Sequence, residues 1–312
     1  MPACGGEVRD VYYLFDMSSF RTEPGSTEKS HLERVMTSRG SVEAAEWGKG
    51  PVVLLLHGAI GGYDQGVLLA RTVCHPRFHF LSVSRPGYLG TALSLGRTAP
   101  EQADLCAEVL KDKGIERAAV IAISGGGPIA LQFALRHAER CRALVMISAC
   151  SQRLDVPLPL QWYVMKVAAR IPGVAAGMRR RIERDPENSA KRSIRDEGVR
   201  LRTVRDPEAG PLFLALRTSV LDRLTERLPG TENDIRQTRA EMSWPLESIA
   251  TPTLVVHGTA DAVVPFTQAQ SLTRRLRNAE LLAIEGGEHV SIFTHRQEVQ
   301  RGIGQFLDSI AD

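Results

Sequence analysis

Apolar and polar residues change their period repeatedly along the chain, from continuous apolar runs to helical spacing and back. A run that is apolar at every position is typical of a strand buried on both faces, which indicates a parallel sheet covered by helices on both sides. Between these runs, apolar residues such as Ala103, Val109 and Leu110 recur at helical spacing. The pattern predicts strands at 78–84, 119–123, 142–149 and 280–284, two more that end at His57-Gly58 and His257-Gly258, and helices at 64–74, 100–114, 266–276 and up to about 310.

A different pattern precedes the first buried strand. Residues 1–30 show neither a helical nor a strand period, although they carry several aromatic residues. They predict a flexible N-terminal extension or, alternatively, a segment that covers the mouth of a site. Two alternating segments follow, 32–38 and 42–47, and the Arg39-Gly40 pair between them predicts a hairpin.

The alternation also stops in the middle of the chain, at residues 151–245. Here the strand pattern is absent, arginines are frequent and apolar residues fall at helical spacing. Eight prolines divide this segment, at positions 157, 159, 172, 186, 207, 211, 229 and 245. The segment therefore predicts a helical unit set between two parts of a sheet domain.

Composition and charge narrow the class of protein. The 312 residues are 43% hydrophobic, enough for a large core, and a net charge of +3 without a lysine-rich tract does not indicate a nucleic-acid partner. Residues 151–245 hold 18 Lys and Arg against 13 Asp and Glu, so positive charge is concentrated there. This excess is typical of a solvated helical surface, and the alternative is attraction of an anionic substrate.

The cysteines and histidines indicate neither disulfides nor a metal site. Five scattered cysteines without a Cys-x-x-Cys pair are typical of reduced, mostly buried thiols. His75 and His79 are followed by no further ligands at metal-binding spacing. Neither a signal peptide nor an apolar run long enough for stable membrane insertion is visible, so we expect a cytoplasmic protein without cofactor or metal.

Residues 118–138 place a serine directly between a strand and a helix. Small and β-branched residues up to Ile123 are followed by Ser124, three glycines and an apolar helical run. A serine on such a turn has its hydroxyl lifted clear of the sheet, in a strained conformation that small neighbours permit. The alternatives are a phosphate-binding glycine loop and a plain structural turn, but no lysine follows the glycines.

This stretch resembles the nucleophile elbow, Gly-x-Ser-x-Gly, of the α/β-hydrolase superfamily, with Ala122 in place of the first glycine. The resemblance covers about residues 31–312 and includes SRPGYLGT at 84–91, which looks like the Asp-Arg-Pro-Gly-x-Gly-x-Ser stretch of many members. We interpret that loop as structural, without chemistry of its own. The resemblance implies the α/β-hydrolase fold, a mostly parallel central sheet flanked by helices. Its core would be 31–150 and 246–312, with a helical cap, 151–245, inserted after the sixth strand.

Two candidate partners for Ser124 lie in loops that directly follow apolar strands. Asp261 comes after the strand that ends at His257-Gly258, and His289 comes after the last strand. The carboxyl ends of parallel strands share one edge of a sheet, so we expect all three residues at that edge. The order Ser, Asp, His is that of the family, which implies Ser124 as nucleophile, His289 as general base and Asp261 as its orienting acid.

The resemblance also implies an oxyanion hole beside the serine. Its donors would be the backbone N–H groups of Gly125 and Ala59, with Ile60 as the second choice in place of Ala59. His57 is expected to shape the turn that carries Ala59 and to take no part in proton transfer.

Other residues compete for the roles of acid and base. Asp155, just after the sixth predicted strand, is the main alternative acid, because some family members carry the acid there. Glu285 and Glu288 are further acidic residues, of which Glu288 is too close to the histidine in sequence to orient it. His295 is the alternative base, and it falls inside the predicted final helix.

The implied machinery is that of a serine hydrolase acting on a small carboxylic ester or similar acyl compound through an acyl-enzyme. The same machinery serves C–C bond hydrolysis, peptide hydrolysis and acyl transfer. Residues 57–64, HGAIGGYD, are similar to a loop of proline iminopeptidases but lack its proline and one glycine. A function of another class, a ligand-binding receptor of this fold with little turnover, stays open, as does the oligomeric state. The expected partner is a small-molecule acyl substrate.

Overall fold

The computed structural model describes residues 30–73, 77–154 and 160–310 of the chain. The predictions for the N-terminal extension up to residue 29, for Cys4, Cys74 and His75, and for Asp155 lie outside the described residues. The strands are β1 (His31–Thr37), β2 (Gly40–Gly48), β3 (Val52–Leu56), β4 (His79–Val83), β5 (Ala118–Ile123), β6 (Cys141–Ile147), β7 (Thr253–Gly258) and β8 (Ala279–Ile284).

These strands form a single sheet in the order β1-β2-β4-β3-β5-β6-β7-β8. β2 is antiparallel to both of its neighbours, and all the remaining pairs of neighbouring strands are parallel. The mostly parallel sheet is confirmed, and so is the hairpin, in which Thr37 lies opposite Gly40. The carboxyl ends of β3 and of β5 to β8 therefore meet at one edge of the sheet.

Helices cover both faces of the sheet. In β3, Leu54 and Leu56 pack into the core on one face while Val53 and Leu55 pack into the core on the other, so every position of the strand is apolar. One face is covered by α2 (Ala99–Asp112), α3 (Gly127–Arg136) and α10 (Phe266–Arg275). The opposite face is covered by α1 (Tyr63–Val73), α11 (Ser291–Thr294) and α12 (Arg296–Ser309).

The chain between β6 and β7 contains helices and, in its described part, no strand. These helices are α4 (Leu160–Ala168), α5 (Val174–Arg184), α6 (Pro186–Ala190), α7 (Glu197–Arg205), α8 (Ala209–Ser219) and α9 (Leu224–Thr238). We call residues 160–238 the helical segment. Its place in the chain matches the predicted insertion, whereas the division into core and cap domains stays a prediction. The prolines do not all separate helices, because Pro229 lies inside α9.

The C-terminal helix differs from its prediction. It is divided at His295, which lies between α11 and α12 with φ −127° and ψ 37°, outside the helical range. The ring Nδ1 of His295 lies 2.8 Å from the Thr294 hydroxyl. The prediction that His295 lies inside the final helix was wrong.

None of the helices in the described ranges has the length and apolar character needed to cross a bilayer.

Candidate active site

Ser124 occupies the sharp turn between β5 and α3. Its φ of 51° lies in the left-handed region that side chains rarely adopt, so the backbone is strained there. A methyl group added at Gly126 would lie 2.5 Å from the carbonyl oxygen of Leu56, which explains the need for glycine two residues after the serine. Pro128 fits into the first turn of α3, where its missing N–H has no helical partner to lose.

The structure brings Ser124, Asp261 and His289 together at the carboxyl edge of the sheet. His289 Nε2 lies 3.2 Å from Ser124 Oγ, and His289 Nδ1 lies 2.8 Å from Asp261 Oδ2. The carboxylate is fully buried, whereas the imidazole is partly exposed. A proton can therefore pass between the hydroxyl and an imidazole whose other nitrogen is held by a carboxylate.

The Asp261 carboxylate is held by four donors. Oδ1 accepts the backbone N–H groups of Val263 at 2.8 Å and Val264 at 3.0 Å. Oδ2 accepts from His289, and His257 Nε2 lies 3.3 Å from the same oxygen. Burial alone would raise the pKa of Asp261, but the hydrogen bonds from His257, His289 and the backbone hold it well below its ordinary value of 3.8.

His257 was not selected from the sequence. It lies on β7, fully buried, and its Nε2 also lies 2.8 Å from the carbonyl oxygen of Val264. Its Nδ1 has no hydrogen-bond partner among the described residues, so a proton on Nε2 satisfies the contacts of the ring. The signal available in the sequence was a histidine in an apolar strand, four residues before the acidic candidate Asp261.

Loop 57–62, which follows β3, passes directly over the serine. A methyl group added at Gly58 would lie 3.1 Å from Ser124 Cβ and 3.6 Å from its Oγ. A methyl group added at Gly125 would lie 3.5 Å from the backbone nitrogen of Ala59. Ala59 and Gly125, the two predicted oxyanion donors, are therefore close neighbours beside Ser124.

The helical segment fixes the far end of this loop through α9. The N–H of Ile60 donates to Thr231 Oγ1 at 3.1 Å, so the second-choice oxyanion donor already has a partner. Arg227, which is 1% exposed, donates to the Gly61 carbonyl at 2.8 Å and forms an ion pair with Asp64 at 2.6 Å. The sequence predicts that the positive charge of this segment lies on a solvated surface. Arg227 differs from this prediction, because its charge is buried against the core.

His57 is fully buried and has both ring nitrogens occupied. Nδ1 donates to the Gly58 carbonyl at 2.7 Å, and Nε2 accepts the backbone N–H of Arg85 at 3.0 Å. Burial and the positive charge of Arg85 hold the pKa of His57 well below its ordinary value. A neutral histidine bonded in this way shapes the loop and is unavailable for proton transfer.

Arg85, in loop 84–91 after β4, contacts the loop over Ser124 and was not selected from the sequence. Its guanidinium pairs with Asp234 of α9 and donates to the carbonyl oxygens of His57 at 2.9 Å and Gly58 at 3.2 Å. Tyr88 completes the group by donating its hydroxyl to Asp234 at 2.6 Å. The loop interpreted as plain structure thus carries a buried charge that binds loop 57–62.

Backbone bonds also join α9 to loop 84–91. Pro229 interrupts the helical hydrogen bonds, because it lacks an N–H. Next to it, the N–H of Gly230 donates to the Gly87 carbonyl at 2.8 Å, and the Glu226 carbonyl accepts from Leu89 at 2.9 Å. The break in the helix therefore supplies the groups that hold the loop.

A third link reaches the loops that carry Asp261 and His289. The side chain of Arg195, between α6 and α7, donates to Glu288 at 2.8 Å and to the Ala260 carbonyl at 3.2 Å. Glu288 precedes His289, and Ala260 precedes Asp261. Glu288 is thus occupied by Arg195, which argues against its role as the acid.

Comparison with known proteins identifies the family. The sequence pattern of the alpha/beta hydrolase fold matches residues 51–296. The chain belongs to the alpha/beta hydrolase fold family. A solved alpha/beta hydrolase fold protein from Nakamurella multipartita is 30% identical, with a TM-score of 0.80 over 89% of this chain and 99% of that one.

Curated relatives of this α/β hydrolase are named as hydrolases and esterases. The uncharacterized hydrolase YcgS of Bacillus subtilis is 23% identical over 84% of this chain and 93% of its own. A pimeloyl-[acyl-carrier protein] methyl ester esterase of Aeromonas hydrophila is 24% identical over 86% of this chain and 99% of its own. These relatives support hydrolysis as the class of reaction.

In the described part of this α/β hydrolase, neither a metal-ligand cluster nor a reactive thiol accompanies the site. In the part of the chain that the structure describes, no three His, Cys, Asp or Glu side chains gather as metal ligands. Cys106, Cys141 and Cys150 are free and buried, and burial raises the pKa of each thiol to about 12. Such thiols are poor nucleophiles at neutral pH.

Proposed function

We propose that this α/β hydrolase cleaves a small carboxylic ester or related acyl compound through an acyl-enzyme formed on Ser124. The observation that carries the proposal is the chain of contacts from Ser124 Oγ to His289 at 3.2 Å and from His289 to Asp261 at 2.8 Å. A serine hydroxyl is a weak nucleophile at neutral pH, and it requires a base that is itself held in one tautomer.

The first half of the reaction forms the acyl-enzyme. Ser124 Oγ attacks the carbonyl carbon while its proton moves to His289 Nε2, and the N–H groups of Ala59 and Gly125 stabilise the oxyanion. Asp261 stabilises the imidazolium through Nδ1. The proton then passes from Nε2 to the leaving oxygen as the ester C–O bond breaks and the alcohol departs.

The second half returns the enzyme to its starting state. Water donates a proton to His289 Nε2 as its oxygen attacks the acyl carbon, and the same two N–H groups stabilise the second oxyanion. The proton returns to Ser124 Oγ as the acyl–oxygen bond breaks, which releases the carboxylic acid.

The surroundings of loop 57–62 support an apolar acyl group. Ile60, next to the proposed donor Ala59, packs against an apolar cluster of the helical segment that includes Trp162, Leu224 and Leu228. We propose that the helical segment acts as a cap over the serine and that this cluster contacts the apolar part of the substrate.

A fluorophosphonate probe tests the nucleophile. We expect intact-mass measurement and peptide mapping to find one adduct on native protein, located at Ser124. Ser124→Ala should remain unlabelled, while Ser248→Ala, which changes an exposed serine of a turn, should label like the wild type. A folded wild-type protein without an adduct at Ser124 would contradict the proposal.

Hydrolysis of p-nitrophenyl esters tests the reaction and the acyl group. We expect turnover that falls by on the order of a thousandfold or more in Ser124→Ala, because the nucleophile is lost. Esters from acetate to octanoate would measure the length of acyl chain that the apolar cluster accepts. Stoichiometric binding without turnover of any ester would instead favour a receptor of this fold.

A further inference from the structure

Helix α4 presents apolar side chains on two opposite sides. Trp162 and Met165 face inward and belong to the apolar cluster of the helical segment. Tyr163, Val164 and Val167 lie on the opposite side and are 55–59% exposed. Ile171, just beyond the helix, extends this surface and is 49% exposed. A helix that is apolar on both sides is typically covered on both sides.

The outward side chains form one continuous surface. Residues 163, 164 and 167 follow the spacing of neighbours on one side of a helix, and Ile171 comes just after the turn that ends it. Four side chains of this size, each about half exposed, form a patch of a few hundred Å², the size that marks interaction sites on soluble proteins. We call these four residues the apolar strip.

A basic cleft borders the apolar strip. It has a volume of about 330 Å³, and its lining residues include Arg97, Arg170 and Arg236. Arg170 immediately precedes Ile171, so the cleft and the strip are adjacent. Within the described ranges, none of these three arginines forms an ion pair, and Glu232, the acidic residue of the cleft, is paired with Lys166 at 2.5 Å.

The cleft opens on the side of α9 that faces away from loops 57–62 and 84–91, and Leu228 lies between the cleft and the apolar cluster. Its residues on α9, including Thr225, Pro229 and Arg236, fall on one side of that helix at helical spacing. Thr231 and Asp234, which contact loops 57–62 and 84–91, fall on the opposite side. The three arginines therefore lie apart from the contacts that join α9 to loops 57–62 and 84–91.

We propose that the apolar strip and the basic cleft bind the protein to an anionic phospholipid surface. The strip enters the interfacial region, where tyrosine and aliphatic side chains are favoured, and the arginines bind lipid phosphates. Charge complementarity selects this occupant, because the guanidinium fork matches phosphate and the strip itself carries no acidic residue. The docking is peripheral and independent of Ser124.

Vesicle flotation with the full-length protein tests the proposal. We expect binding to vesicles of equal parts phosphatidylcholine and phosphatidylglycerol, and none to pure phosphatidylcholine. Val167→Asp should weaken binding on the order of tenfold, because it places a charge in the interface. The triple variant Arg97→Gln, Arg170→Gln, Arg236→Gln should weaken it on the order of a hundredfold.

Matched control variants distinguish binding through this surface from nonspecific electrostatic attraction between the protein and the vesicles. Arg180→Gln, Arg181→Gln, Arg184→Gln removes three exposed charges of α5, and Met36→Asp places a charge at an exposed apolar residue of β1. Both should bind within about twofold of the wild type at equal salt. Circular dichroism melts of all variants confirm that each is folded.

Three results would overturn the proposal. The first is absence of wild-type binding to the anionic vesicles. The second is an equal loss of binding in the α5 triple variant, which would indicate unspecific attraction. The third is a lipid-free dimer in analytical ultracentrifugation that Val167→Asp dissociates, because a second copy of the chain would then cover the apolar strip.

Discussion

Arg85 and Asp234 lie 149 residues apart in the chain, yet they form an ion pair in which both side chains are almost fully buried. Removing one charge of such a pair leaves the other buried without compensation. We expect Asp234→Asn to lower the free energy of unfolding by about 3–5 kcal/mol, measured by urea denaturation. Activity should fall as well, because Arg85 binds the carbonyl oxygens of His57 and Gly58 beneath loop 57–62.

An exposed ion pair provides the control for this experiment. Glu247 and Arg275 pair at 2.7 Å on the surface. Glu247→Gln removes the same kind of charge, but water solvates the remaining guanidinium, so the urea midpoint should stay close to that of the wild type. Equal effects of the two substitutions on the free energy of unfolding would show that burial does not determine the cost of leaving Arg85 unpaired.

His257 allows a test of how the carboxylate is positioned. His257→Leu removes the Nε2 donor beside Asp261 Oδ2, so the carboxylate should hold His289 less firmly. We expect kcat for ester hydrolysis to fall on the order of tenfold or more, with KM unchanged because His257 is buried away from substrate. His257→Gln, which restores a donor, should recover part of the loss.

A second histidine serves as the matched control. His79 lies on β4 and pairs with Glu46 at 3.3 Å. We expect His79→Gln to leave kcat unchanged. A large rise in KM in His257→Leu would indicate a displaced binding surface instead of a displaced carboxylate.

Residues with a local sequence signal were predictable, and buried partners were not. Ser124, Asp261 and His289 each follow an apolar strand, so the parallel sheet itself predicts that they meet at one edge. Arg85 and Asp234 have no such signal, because each one alone reads as a solvated charge. Their pairing depends on how α9 packs against loop 84–91, which no local pattern contains.

At the scale of elements, α9 contacts loop 84–91 through a point of very close approach. A methyl group added at Gly230 would lie 2.3 Å from the ring of Tyr88, whose side chain is fully buried. We expect Gly230→Ala to destabilise the protein by about 1–3 kcal/mol through overpacking. Because α9 would shift away from loops 57–62 and 84–91, ester hydrolysis should fall at the same time.

The same substitution elsewhere should have the opposite effect on stability. Gly177 lies inside α5, and a methyl group added there meets nothing within 4 Å. Gly177→Ala should stabilise the protein by about 0.5–1 kcal/mol, because alanine loses less backbone entropy in a helix. A thermal melt of both variants checks the two signs. Similar destabilisation by both would show that the contact with Tyr88 is not the cause.

Among the elements, buried strands were the most predictable and interrupted helices the least. β3 and β5 are apolar at every position because both faces of the sheet are covered. Pro229 predicts a division, but α9 continues through it, because the Gly230 N–H and the Glu226 carbonyl find partners in loop 84–91. The break at His295 has neither a proline nor a glycine beside it, so a periodic pattern continues the helix through that position.

At the scale of the whole molecule, ion pairs join the helical segment to the rest of the chain. Arg227 pairs with Asp64, Arg223 with Glu43, and Arg195 with Glu288 next to His289. The sequence located the excess of positive charge correctly, but it could not show that part of this charge binds the core. Packing of the segment and the geometry of the proposed site are therefore coupled.

The free energy of unfolding of the whole molecule should fall at acidic pH because of Asp261. Its folded pKa lies below the ordinary 3.8, so the unfolded chain takes up a proton at a pH where the folded protein does not. This carboxylate therefore stabilises the fold above about pH 3.8, and the contribution is lost as the pH falls through the folded value.

Urea denaturation at intervals between pH 3 and 7 measures the effect. Asp261→Asn should be less stable at pH 7 and should lose less stability on acidification than the wild type. Ser124→Ala, which keeps the carboxylate, should follow the wild-type curve, and parallel curves for all three proteins would contradict the assignment to Asp261.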